Sequence, residues 1–120
     1  MQETTYSRWL ISDMYYPSES IEGPIKSHEA ICVLNTNDQD AGLTITLYFE
    51  DREPMQLAPQ RRNVHIRMDE ARTADGSGVP MDTPYAAVVE STQPVAVQYS
   101  RADARQRALG IMTTIAQPMG

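Results

Sequence analysis

The stretch SHEAICVLNTNDQDAGLTITLYFE, Ser27 to Glu50, decides the fold class. In its second half Leu43, Ile45, Leu47 and Phe49 alternate with Thr44, Thr46, Tyr48 and Glu50. Side chains on a strand point to opposite faces in turn, so this pattern specifies a half-buried β-strand. Its first half carries Ala30-Ile31-Cys32-Val33-Leu34, an apolar run of buried-strand character that opens behind three polar residues, Ser27, His28 and Glu29. The connection NTNDQDAG (35–42) is rich in residues that tolerate turn conformations. The two strands are therefore expected to form an antiparallel hairpin.

The same grammar extends in both directions. Tyr85 to Ser91 and Val95 to Arg101 are expected to pair around TQP (92–94), with Pro94 at a strand entrance where a missing N–H is tolerated. Trp9 to Tyr16 and Ile111 to Ala116 are further candidate strands. Helical periodicity is scarce, and RADARQRALG (101–110) has room for one or two helical turns in a structured corner before Gly110. PSESIEGP (17–24) and EARTADGSGVPMDTP (70–84) read as loops, the second long enough for a lid or an interface arm. Seven or eight short antiparallel strands, punctuated by eight prolines and six glycines, predict an all-β domain of the β-sandwich or jelly-roll kind. At 120 residues the chain is expected to be a single domain, 1–120. A chain of this size buries roughly two-thirds of its extended surface and needs no staples.

Composition narrows the function classes. The one cysteine, Cys32, sits in an apolar run and has no internal disulfide partner. No secretory signal or membrane-spanning apolar segment is visible, which makes the cytoplasm the expected compartment. The net charge of −6 repels phosphate backbones and disfavours non-specific nucleic-acid binding. The basic residues are unevenly placed: Lys26 is the one lysine, and Arg61, Arg62, Arg67, Arg72, Arg101, Arg105 and Arg107 crowd the second half. A guanidinium fork holds carboxylates, phosphates or polyols in fixed geometry, or simply pairs with acids such as Asp69 and Asp103.

Two polar knots stand out. In NVHIRM (63–68), Val64, Ile66 and Met68 share the core phase, leaving Asn63, His65 and Arg67 on the other face as a solvated surface or a binding surface. In QYSRADARQ (98–106), Gln98 and Tyr99 point to opposite faces, Arg101 follows Tyr99, and Asp103, Arg105 and Gln106 crowd the corner beyond. These groups either fix a bend or hydrogen-bond a small ligand, with Trp9, Tyr15, Tyr16 or Tyr99 offering an apolar face. His28, Glu29 and His65 have no metal-ligand spacing, and no catalytic or nucleotide-binding motif is present. No metal, cofactor or enzymatic activity is expected.

The ordered set Trp9 with YYP (15–17), SHEAICVLN (27–35), TITLYFEDREP (44–54), RRNVHIR (61–67), DTPYAAVVESTQPVAVQYSR (82–101), DARQ (103–106) and TTIA (113–116) resembles the sensory rhodopsin transducer family over nearly the whole chain. The resemblance implies a β-sandwich protomer in a homotetramer, within a wider group proposed to bind sugars or related polar solutes. Its polar motif positions correspond here to Ser27, His28, Glu29, Arg62, His65, Arg67, Gln98, Arg101, Asp103, Arg105 and Gln106. Departures fall at Met14, where glycine is frequent, at Ala102, where leucine is usual, and at Leu109, where asparagine is common. The expectation is a non-enzymatic solute sensor that relays its state as a homotetramer. The alternatives are a protein-interaction adaptor, including the soluble transducer of a membrane sensory rhodopsin, and a DNA-associated regulator.

Overall fold

The computed structural model describes residues 6–20, 26–57, 63–105 and 110–119. Among these, eight antiparallel strands follow in chain order: β1 (Tyr6–Tyr15), β2 (His28–Leu34), β3 (Leu43–Phe49), β4 (Met55–Gln56), β5 (Val64–Arg67), β6 (Pro84–Asp103), β7 (Gly110–Ile115) and β8 (Gln117–Pro118). The expected all-β class and strand number are what the molecule shows. No helix among the described residues is long and apolar enough to cross a membrane.

The organising element is β6. Its 20 residues would reach roughly 66 Å if straight, yet the longest dimension of the molecule is 44 Å. The strand therefore bends, and the ladders place the bend at Thr92–Pro94. Before it, β6 lies between β3 and β1, with Val89 opposite both Ile45 and Trp9. After it, β6 lies between β2 and β7, with Gln98 opposite both Cys32 and Ile115. In none of these ladders does a partner face residues 92–94, so the N–H that Pro94 lacks has no bond to lose.

Two expected pairings are corrected. Tyr85 to Ser91 and Val95 to Arg101 do not pair with each other; they are successive halves of β6. Nor do β2 and β3 form a hairpin. Each builds a seven-pair ladder with a different half of β6, and the 35–42 connection crosses from one half to the other. Contacts at the bend hold that connection: Gly42 N donates to Thr92 Oγ1 at 2.8 Å, Thr92 N to Gly42 O at 3.0 Å, and Asn37 Nδ2 to Pro94 O at 2.8 Å. The turn-rich composition is real, but it serves a crossing.

The alternating apolar positions meet in one core cluster drawn from both halves of β6, including Trp9, Ile31, Val33, Ile45, Leu47, Val89, Val97 and Tyr99. The Trp9 indole Nε1 donates to Val95 O at 2.9 Å just past the bend. The 70–84 segment is anchored by bridges Leu57–Thr73 and Arg72–Gly78 and by buried Ala71 and Val79. At 101–110, Arg101 to Asp103 complete β6, and 106–109, where helical turns would fall, lie outside the described residues.

One irregularity shapes the surface. The β1–β6 register steps from Ile11–Ala87 to Met14–Tyr85, so Ser12 and Asp13 together oppose Ala86. This β-bulge leaves both side chains exposed, the kind of local re-aiming that bulges produce next to functional sites.

Candidate functional site

The chain turns Glu29 inward. On β2 the odd positions Glu29, Ile31 and Val33 share the core phase, and Glu29 is fully buried. Burying a carboxylate costs several kcal/mol unless it is paired and hydrogen-bonded. Here it is both. Tyr15 N donates to Oε2 at 2.8 Å, Tyr85 OH donates to Oε1 at 2.9 Å, and Tyr99 OH donates to Oε2. Arg101, directly opposite on β6, reaches Oε2 through Nη2 at 3.2 Å and Nε at 3.3 Å. Arg101 Nε also donates to Tyr99 OH at 2.8 Å, so the four side chains form one network.

The electrostatics follow. Burial, with the Glu29 carboxylate alongside, holds both tyrosine hydroxyls neutral far above the ordinary phenol range. For Arg101, burial opposes its charge, but Tyr99 and Glu29 outweigh it and raise its pKa. The network joins the end of β1 and the first half of β6, through Tyr15 and Tyr85, to β2 and the second half of β6. The outer end of Arg101 touches the bulge, with Nη2 3.5 Å from Asp13 O and 3.9 Å from Asp13 Oδ1.

The other sequence-nominated residues divide into groups. Ser27 is buried near this network, and its Oγ accepts from Ala104 N at 2.8 Å. Arg105 forks Asp103, with Nη2–Oδ2 at 2.6 Å, and lies over the Tyr15 ring at 5.5 Å. Hydrogen bonds from Arg105 hold the Asp103 carboxyl down to about 2. A crevice of about 10 Å³ among Tyr15, Pro17, Arg101 and Asp103 has room for a single water. His65 and Gln98 flank Cys32 on the outer face of β5, β2 and β6. Arg67 is engaged by Asp69 at 2.8 Å, and His28 Nδ1 lies 2.8 Å from Lys26 O. Arg62 and Gln106 lie outside the described residues.

Tyr85 was not among the nominated residues, although the signal was present. A carboxylate in the inward phase of β2 requires inward donors on neighbouring strands, and Tyr85, Tyr99 and Arg101 all hold that phase of β6. No group of three or more metal-type ligands occurs among the described residues.

Beside the network, a cleft of about 250 Å³ opens between β1 and β7. Ser12, Asp13, Thr114 and Gln117 bring hydroxyl, amide and carboxylate groups to it, Leu10, Ile11, Met112, Ile115 and Ala116 supply apolar wall, and Tyr99 borders it while only 2% exposed. A larger groove of about 370 Å³, with Leu34, Val64, Ala96 and Ile115 on its walls, is mostly apolar.

The family model described as "Anabaena sensory rhodopsin transducer" matches residues 4–118. Among solved structures, "Crystal Structure of Thermotoga maritima 1070" is 31% identical, covers 98% of this chain and 97% of its own, and superposes with a TM-score of 0.81. The structure titled "Anabaena sensory rhodopsin transducer" is 35% identical, covers 85% of this chain and 92% of its own, and gives a TM-score of 0.66. A comparison with curated proteins finds no match.

Proposed function

This chain belongs to the Anabaena sensory rhodopsin transducer family, and on that premise we propose that it is a cytoplasmic, homotetrameric solute sensor. Membership in this transducer family supports a non-enzymatic role. In this reading the two halves of β6 carry the layers of a β-sandwich, and the cleft between β1 and β7 receives a small polar solute such as a sugar. The observation that carries it is the cleft itself. Its volume of about 250 Å³ lies just below the roughly 300–1,000 Å³ of sites for drug-sized ligands. Its hydroxyl, amide and carboxylate groups, set beside the apolar Leu10 and Met112, suit a hydroxylated molecule. The nominated ligand residues divide accordingly: Arg101 and Glu29 do not line the cleft but hydrogen-bond Tyr99, which does, while Ser27, Asp103 and Arg105 brace the neighbouring corner.

Relay requires a solute that binds two states with different affinity. Asp13 is the joint in this proposal. It lines the cleft and is within 3.9 Å of Arg101, so a solute that engages Asp13 competes with Arg101 and alters its hold on Glu29. The homotetramer is supported by β7, exposed at every position with Ile111, Met112 and Ile115 in view, and by the apolar groove that ends at Ile115.

A thermal-shift screen of sugars, sugar acids and polar metabolites tests the sensor. A solute at about 100 times its Kd should add roughly 2.7 kcal/mol of stability, and Thr114→Val with Gln117→Leu should abolish that gain. A silent screen over a broad library would remove the solute reading. The second reading is an adaptor for another protein, which the exposed apolar strand β7 favours and which includes a membrane rhodopsin as partner. A DNA-associated role has the −6 charge against it.

A further inference from the structure

A second depression, of about 270 Å³, lies on the opposite side of the β1 bulge from the solute cleft. It arises from register. Ala86 stands between Tyr48 on β3 and the bulged pair Ser12 and Asp13 on β1, so one small side chain is flanked by larger neighbours. Glu50 closes one end, just past β3. Tyr48 is 46% exposed, and the Asp13 side chain is almost wholly in solvent. Two carboxylates and an aromatic face thus meet in one concavity; no basic side chain is among its described lining residues, and Arg101 Nη2 stands 3.9 Å from Asp13 Oδ1. At its rim, Phe49 already carries a guanidinium: Arg52 lies 5.5 Å over that ring while forked by Asp51.

We infer that this depression is a docking site for a lysine- or arginine-bearing segment of a protein partner. Cations are drawn to aromatic faces by the ring quadrupole, and arginine most often. Carboxylates beside the ring supply the counter-charge and, for arginine, a two-pronged acceptor. An anion is repelled here, and a neutral hydroxylated solute can donate to these carboxylates but brings no charge to match them. Charge complementarity selects a basic segment, and the chain's net charge of −6 steers it inward. The site shares Ser12 and Asp13 with the solute cleft, but Tyr48 and Glu50 line only this depression, so Tyr48→Ala tests it apart from the solute reading.

The test uses fluorescently labelled tetra-arginine peptide at low salt against the full chain and three variants. Asp13→Asn with Glu50→Gln should weaken binding about fivefold or more, and Tyr48→Ala about two- to threefold. The control Asp38→Asn with Glu53→Gln removes the same charge from exposed positions outside the depression and should bind as the parent does. Equal weakening in the control, or no effect of Tyr48→Ala, would mean diffuse attraction to an acidic surface and overturn the site. If arginine amide binds as tightly as the peptide, the depression takes free cations and the partner assignment falls.

Discussion

The two oxygens of Glu29 are not equivalent. Oε2 accepts from Tyr15 N, Tyr99 OH and Arg101, whereas Oε1 accepts only from Tyr85 OH among the described residues. Leaving a buried acceptor without a partner costs its desolvation, whereas losing one of several donors costs about one ordinary hydrogen bond. Tyr85→Phe should therefore destabilise by about 1–3 kcal/mol and Tyr99→Phe by about 0.5–1.5 kcal/mol. Urea unfolding with an unchanged slope measures both, and equal costs would show that Oε1 finds another donor once Tyr85 is shortened. The sequence exposed half of this network. Arg101 and Glu29 were legible as charged groups in polar stretches, but their proximity depends on β2 lying beside the second half of β6, which no local spacing encodes.

At the level of the strand, β7 is the anomaly. It pairs with β6 along one edge, every residue is exposed, and Ile111 and Ile115 are each 68% exposed. A free edge with apolar side chains invites another chain unless charge or proline blocks it. Ile111→Glu with Ile115→Glu should split the proposed homotetramer while changing the protomer's stability by only about 0.5 kcal/mol. Sedimentation velocity and urea unfolding read the two effects separately, and an unchanged sedimentation coefficient would place the interface elsewhere. Strand identity was readable because period-two alternation is local, as in Leu43 to Phe49. Strand partnership was not. The 35–42 connection has the chemistry of a hairpin, yet Thr92 and Pro94, some fifty residues away, supply its bonds. Pro94 suggested a strand boundary because proline removes a ladder donor, a cost that vanishes where no ladder partner exists.

For the whole molecule, titration sets two limits on stability. Arg105 holds Asp103 near 2, and Thr73 and Ser77 hold Asp75 near 2, below the ordinary 3.8. Between those values the unfolded chain binds more protons, so stability present above about pH 4 should fall as pH drops toward 2. At the other end, Tyr85 and Tyr99 ionise in the fold only well above 10.0. The unfolded chain loses those protons first, so this contribution is intact below pH 10 and is lost as pH rises beyond it. Thermal midpoints across pH should trace a plateau between these limits, and tyrosinate absorbance should appear together with unfolding on the alkaline side. Absorbance that rises before unfolding would mean the hydroxyls are less sheltered than their bonds to Glu29 indicate. The bent strand that unites the core also governs the order of events during synthesis. β6 begins at Pro84, yet β1, β2 and β3 each need it as a neighbour. A ribosome must therefore complete most of the chain before the first strand finds its place. Until then the nascent protein displays apolar strands without their shared partner, the state in which exposed apolar surface and unpaired strand edges favour aggregation.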